Sequence, residues 1–312
     1  MTSFTYGVDI SKAYLDVCRL PDGIHRRFAY DKTGLKALAK WLTSEPLERV
    51  VYEATGRYHR QFERYLAQKG VPLSKVNPCR ARRFAESTGT LAKTDRVDAL
   101  MLARFGMALT PDLYIPISQE LEDMRELLVA RRALIKDQTA ANNRSEGLQI
   151  ALVKRQNATR QKQIETDIAA IDAELLARVA ADEAMKQRFD ILVSIPGIGA
   201  IAALNLLIDM PELGTLDSKQ VAALIGVAPM ANESGKRSSR ASIKGGRRDL
   251  RNSLYMPTLV ATRFNPDLKS KYNQLIEAGK PAKVAITAIM RKLVILANAL
   301  LKKGKEWQQI TA

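Results

Sequence analysis

The chain has 312 residues, a length that suggests about two domains. Its 46% hydrophobic and 26% charged composition excludes wholesale disorder. Lys and Arg outnumber Asp and Glu by 49 to 33, a formal net charge of +16, which calls for a polyanionic partner: nucleic acid or an acidic membrane surface. Aromatic residues amount to 6%, too few for an extended base-stacking platform. Cys18 and Cys79 are the only cysteines, so neither a disulfide framework nor a cysteine zinc site is available. With His25 and His59 the only histidines, a serine hydrolase would have two possible bases. The N-terminus lacks the basic and apolar regions of a signal peptide. Residues 191–208 carry no charge, but Pro196, Gly197, Gly199 and Asn205 interrupt them, so no membrane span and a cytoplasmic location are expected.

From residue 4 to about 110 strands and helices alternate. Phe4, Tyr6, Val8 and Ile10 mark a half-buried strand; Tyr14–Leu20 and Ile24–Tyr30 follow, joined by the turn Pro21-Asp22-Gly23. Leu35, Leu38, Trp41 and Leu42 recur at helical spacing. Val50–Tyr52 reads as a short buried strand, Tyr58, Phe62, Tyr65 and Leu66 as a second helix, and Val71–Val76 as a strand stopped by Asn77-Pro78. Two helices are predicted near 79–87 and 95–108. The order β-β-β-α-β-α-β-α describes a hairpin-led mixed sheet with later parallel crossovers. Residues 117–187 lack proline and hold one glycine, Gly147, which predicts two long amphipathic helices broken around Asn142-Asn143 and Gly147. They suit a hairpin packed on its own chain or a coiled coil joining subunits. Residues 188–312 read as a mostly helical unit, whose last helix, Ala282–Lys302, interleaves apolar residues with Lys283, Arg291 and Lys292. Three segments are expected: 1–115, 116–187 and 188–312.

Four carboxylates stand at element ends. Asp9 lies between Val8 and Ile10 on the first strand, Glu53 directly follows Val50-Val51-Tyr52, and Asp95 and Asp98 share a face at the start of a helix. Singly, each has an ordinary role: Thr94 and Asp95 can cap a helix, Asp9 can pair with Lys12, and Glu53 can be a solvated strand end. Brought together, they would repel one another unless a cation neutralised them, and a pair of hard divalent ions is the usual solution in phosphoryl transfer. Magnesium suits such oxygen ligands.

Gly7-Val8-Asp9-Ile10-Ser11-Lys12, Glu53-Ala54-Thr55-Gly56 and Lys93-Thr94-Asp95-Arg96-Val97-Asp98-Ala99 closely resemble the DEDD transposases, the insertion-sequence family related to the pilin-gene invertase Piv and including bridge-RNA-guided recombinases. The resemblance implies an RNase H-like, RuvC-like first domain whose metal-binding acids fall on Asp9, Glu53, Asp95 and Asp98, with Mg²⁺ as cofactor and Mn²⁺ as the alternative.

Residues 231–263 hold Lys236, Arg237, Arg240, Lys244, Arg247, Arg248, Arg251 and Arg263 against only Glu233 and Asp249, a local excess suited to phosphate oxygens. Ser234, Ser238, Ser239 and Ser242 lie in the same stretch, and composition does not choose among them. The resemblance implies a nucleophilic serine in a Glu-Ser-Gly-like context, which here is Asn232-Glu233-Ser234-Gly235-Lys236 and selects Ser234. Ser253 falls within a predicted helix and reads as structural. Ser194-Ile195-Pro196-Gly197-Ile198-Gly199 resembles a helix-hairpin-helix turn, with Gly197 and Gly199 able to bring backbone N–H groups to a phosphate.

The combined expectation is a DNA recombinase, bacterial and nucleoid-associated when acting, that cuts and rejoins donor and target duplexes through a phosphoserine link. The family further implies a structured guide RNA and a dimer or tetramer with composite active sites. The alternatives are a Piv-type site-specific invertase, a RuvC-like junction nuclease in which water attacks, and a non-enzymatic nucleic-acid scaffold.

Overall fold

Alternation along the first strand decides the layout of the N-terminal half. In the computed structural model, which describes residues 3–54, 58–89, 94–234 and 237–309 (over 231–234 and 237–241 the backbone alone), the chain divides into two units, Met1–Ser118 and Gln119–Ala312. Thr55, Gly56, Lys93, Gly235 and Lys236 lie outside the described residues. The helical middle segment, expected as a separate part, falls in the second unit.

In the first unit, β1 (Phe4–Ile10), β2 (Tyr14–Leu20) and β3 (His25–Ala29) form an antiparallel meander. After α1 (Lys32–Leu42), β4 (Leu47–Glu53) pairs parallel with β1. After α2 (His59–Gln68), β5 (Leu73–Val76) pairs parallel with β4. The sheet order is β3-β2-β1-β4-β5, the hairpin-led mixed sheet that the sequence predicts. Two helices close the unit, α3 (Pro78–Ser87) and α4 (Asp95–Leu109).

Side chains of a strand alternate between faces. Tyr6, Val8 and Ile10 of β1 enter one core with Leu35, Leu38 and Leu42 of α1. Thr5, Gly7 and Asp9 therefore share the opposite face, against which α4 lies. A Cβ at Gly7 would stand 2.1 Å from the Ala99 carbonyl oxygen and 2.2 Å from the Ala103 nitrogen. A Cβ at Gly106 would come within 2.7 Å of Thr5 Cγ2. Glycine on each partner thus brings the α4 backbone directly onto β1. The helix descends from Asp98 near Asp9 to Gly106 near Thr5. Its N-cap is Thr94, whose hydroxyl accepts from the Val97 amide at 3.3 Å.

In the second unit, α5 (Gln119–Gly147) and α6 (Ala151–Ala181) form an antiparallel hairpin. Arg131 pairs with Asp172, and buried Asn157 donates to the Ala141 carbonyl at 3.0 Å. Arg125 donates to the Ile208 carbonyl, and Arg132 reaches Asn205 and Asp209, so the hairpin's base is anchored on its own unit. There follow α7 (Glu183–Val193), α8 (Ala200–Asp209), α9 (Ser218–Ile225), the strands β6 (Pro229–Ser234) and β7 (Arg237–Ile243), α10 (Arg248–Ser253), α11 (Tyr255–Phe264), α12 (Pro266–Glu277) and α13 (Ala282–Lys303). Among the described residues α13 alone is long and apolar enough to cross a membrane. Here Ile289, Leu293, Val294 and Ala297 lock it into the unit's core with Leu192, Leu206, Val221 and Leu254.

Because the Gly7 Cβ would collide with helix backbone rather than with a movable side chain, Gly7→Ala should cost about 1–3 kcal/mol of stability in urea unfolding. Gly147→Ala, which meets nothing within 4 Å, is the control and should stay within about 0.5 kcal/mol. Equal stability of the two variants would contradict this packing.

Candidate active site

Three of the four predicted acids come to one place. Asp9 on β1, Glu53 at the end of β4 and Asp98 in the first turn of α4 line a single cavity of about 510 Å³ in the first unit. Asp9 is half-buried, and its carboxyl is pushed up to about 6, first by burial and then by the negative charges of Asp98, Asp95, Asp16 and Glu53. The acids are thus within electrostatic reach of one another although distant in sequence.

Asp95 does not line the cavity. Its side chain is exposed and accepts from Arg27 Nη2 at 3.2 Å. Arg27 is itself held from below: its Nε donates to both carboxylate oxygens of Asp16 at 3.1 and 3.0 Å. Asp16, 1% exposed, sits opposite Asp9 in the β1–β2 register, and His25 Nε2 lies 3.0 Å from it. A buried carboxylate therefore holds the guanidinium that pairs with Asp95. Sequence reading missed both Asp16 and Arg27. The signal available was a lone acid within the apolar run Leu15-Asp16-Val17.

The opposite wall of the cavity is α3. Its N-cap Asn77 accepts from the Cys79 amide at 2.9 Å, with Pro78 at the first helical position. Cys79, Arg82 and Arg83 line the cavity with the acids. Arg82 pairs with Glu86 one turn on, and Arg83 is exposed with no ion pair among the described residues. The cavity thus carries Asp9, Glu53 and Asp98 on one side and, on the α3 side, the Arg82 and Arg83 guanidinium groups with Glu86. An arginine-rich stretch before Thr88-Gly89 was the overlooked cue.

In the second unit, the part of the basic segment that carries Ser234 is a two-stranded antiparallel hairpin. Ser234 stands at its tip, paired with Arg237 across the two-residue connection Gly235-Lys236. The side chains of Ser234, Arg237 and Arg240 and the whole of Lys236 lie outside the described residues. Of the other expected phosphate contacts, Lys244 and Arg248 are exposed. Arg247 and Arg251 are not free for that role. Arg247 donates to the Asp209 carbonyl at 2.7 Å and pairs with Glu212. Arg251 Nη1 donates to the carbonyls of Gly245 at 2.7 Å and Gly226 at 3.3 Å. The Gly245-Gly246 pair makes its close approach to Gly226, 2.3 Å from a Gly246 Cβ to the Gly226 nitrogen, so these glycines serve internal packing. Gly197, at φ +108°, meets α11, where a Cβ would come 2.6 Å from that of Ala261. Gly199 is exposed at the start of α8. Ser253 Oγ donates to the Leu250 carbonyl, as a structural serine should.

Residues 6–149 match the DEDD transposase family of the IS110 type, and residues 189–273 match the family described as Transposase IS116/IS110/IS902. The chain belongs to the DEDD insertion-sequence transposases. It is 28% identical to the pilin gene-inverting proteins of Moraxella bovis and Moraxella lacunata, each over 98% of both chains. It is 24% identical to the transposase for insertion sequence element IS1111A of Coxiella burnetii, over 74% of this chain and 70% of that one. The chain is therefore an enzyme of the DNA recombinase class.

A DEDD transposase domain implies dependence on a divalent metal. No group of three His, Cys, Asp or Glu side chains stands at metal-binding spacing among the described residues. The donor set nevertheless fits a hard cation: the carboxylates of Asp9, Glu53 and Asp98 face one cavity, and their mutual repulsion is the charge such an ion would neutralise. Asp95 would have to turn from Arg27 to join them.

The raised Asp9 value has a definite sign. The folded protein holds this proton more tightly than the unfolded chain, so without divalent metal stability falls as pH rises from 3.8 through about 6. Asp9→Asn removes that fall. In EDTA its melting temperature should exceed that of the parent transposase at pH 8 by about a few degrees, and the gap should close near pH 4. A gap that does not change with pH would contradict the burial and repulsion at Asp9.

Proposed function

We propose that this transposase cuts and rejoins DNA with Ser234 as nucleophile, beside a divalent cation held by Asp9, Glu53, Asp98 and Asp95. The observation that carries the reading is the convergence of Asp9, Glu53 and Asp98 on one cavity from β1, β4 and α4. The sheet order β3-β2-β1-β4-β5 supports a RuvC-like first domain. Bound by these carboxylates, Mg²⁺ or Mn²⁺ would supply Lewis-acid stabilisation of charge on the scissile phosphate.

Ser234 Oγ attacks phosphorus and the bond to one deoxyribose oxygen breaks. The serine proton passes to the medium and the departing oxygen takes one up. The product is a phosphoserine diester that conserves the bond for rejoining, when a DNA hydroxyl attacks it and restores the serine. Arg83 and Arg82, across the cavity from the acids, hold the phosphate in place, while Lys244 and Arg248, with Lys236, Arg237 and Arg240, track the backbone. The turn at Gly197 and Gly199 adds a helix-hairpin-helix contact. Ser234 and the acids belong to different units, which favours composite sites in a dimer or tetramer. Exposed Ile150, Leu152 and Val153 at the tip of the α5–α6 hairpin suit the subunit contact. A structured guide RNA, as in the bridge-RNA-guided members of the family, would choose the sites. Full-length similarity to pilin gene-inverting proteins favours site-specific inversion as the second reading, with the same chemistry.

Suicide DNA substrates test the reading. Incubated with protein and Mg²⁺, they should leave a covalent protein–DNA adduct that Ser234→Ala and Asp9→Ala each abolish. Strand hydrolysis that survives Ser234→Ala would establish a metal-dependent nuclease instead, and binding without strand breakage would establish a scaffold.

A further inference from the structure

The last helix interleaves cations with apolar residues, a pattern the recombination chemistry does not use. In the second unit its two faces separate cleanly. Ile289, Leu293, Val294 and Ala297 enter the core. Lys283, Val284, Thr287, Arg291 and Lys292 face away and wall a cavity of about 700 Å³. The other wall is the base of the β6–β7 hairpin, including Ile243. A second cavity of about 400 Å³ shares Ile243 and Thr287 with the first and continues to Arg251, Asn252 and Tyr255. The two make one trench under the hairpin that carries Ser234.

The lining is one-sided in charge. Although the chain holds 33 acidic residues, no carboxylate lines either cavity among the described residues. Lys283, Arg291 and Lys292 have no ion pair there either, and from Lys283 to Arg291 they span about 12 Å of helix. Between the cations lie Val284, 54% exposed, and Ile243, 41% exposed. A duplex keeps its bases paired inside and could use only the rim cations. An unpaired strand can set phosphates on the cations and lay sugars and base faces on the apolar floor, with Tyr255 offering one aromatic face.

The position of the trench says which strand. Pro229 pairs with Ile243 at the hairpin base and Ser234 with Arg237 at its tip, five residues and about 17 Å apart along the strand. We propose that the trench holds an unpaired stretch of the DNA strand flanking the bond that Ser234 breaks. The link to cleavage rests on the reading of Ser234 given above.

Anisotropy titrations of the full-length protein in EDTA, with short labelled single-stranded DNA, test this without strand breakage. Lys283→Ala/Arg291→Ala/Lys292→Ala should flatten the slope of log affinity against log salt by about 2, three contacts at roughly 0.7 each. The exposed substitution Val284→Asp should weaken binding several-fold, with far-ultraviolet circular dichroism unchanged, while duplex DNA, which can use only the cations, should not respond to it. An unchanged slope in the folded triple variant would overturn the proposal, as would an equal loss of duplex binding in Val284→Asp. RNA of the same sequence binding more tightly through the same three residues would also overturn it. Because binding is read apart from cleavage, failure of the serine adduct assay would leave this result interpretable on its own.

Discussion

The site depends on a contact with no side chain between its partners. At Gly7 the α4 backbone rests on the central strand of the sheet, and at Gly106 the side chains of Thr5 on β1 and Val51 on β4 rest on the helix. Helical and strand periods then fix what faces what. Residues 5, 7 and 9 look toward α4, whose turns at 98–99, 102–103 and 106 meet them in reverse order. Asp98 reaches Asp9 because Gly7, two residues away, gives the helix room. A methyl group there would lift the helix and move its carboxylates away from the strand. Asp9 and Asp98 lie far apart in sequence, yet this packing brings both to one cavity.

Electrostatics gives the site its character within a strongly basic protein. A +16 chain concentrates acids at one end of its sheet, where burial and like charge hold Asp9 well above the ordinary carboxylate range. Such an arrangement is costly without a counter-charge. The fold supplies part of it: Arg27, clamped by buried Asp16, takes Asp95, and the α3 arginines face the remaining acids across the cavity. A divalent cation, which the family domain implies, would supply the rest. The same logic applies in the second unit, where among the described residues cations without acids line the trench beneath the serine hairpin.

What the sequence made legible was whatever rests on local period. The alternation in Phe4–Ile10, the run Leu35, Leu38, Trp41, Leu42, the stop at Asn77-Pro78 and the cap Thr94 mark elements whose bounds agree with the structure to within a few residues. The family resemblance implied one site of Asp9, Glu53, Asp95 and Asp98, of which Asp9, Glu53 and Asp98 line a common cavity. The β6–β7 hairpin was not legible: Asn232-Glu233-Ser234 and Arg237-Ser238-Ser239-Arg240 are poor in the β-branched and aromatic residues that announce strands. Partnership was not legible either. Arg247 and Arg251 look like phosphate clamps in a list of basic residues, but Glu212 and the carbonyls around Gly226 occupy them, over sequence separations that no local pattern encodes. Asp16 and Arg27 were hidden for the same reason, since only the β1–β2–β3 register places them beside Asp9 and Asp95.

The most direct measurement is divalent-metal binding itself, followed as free Mn²⁺ by electron paramagnetic resonance at pH 8 in the absence of DNA. Asp9→Asn and Asp98→Asn should each weaken binding by about tenfold or more, and the double variant should lose little beyond either single one, because both acids serve one ion. Affinities that stay at the parent value, or losses that simply add, would mean that β1 and α4 do not build a common site.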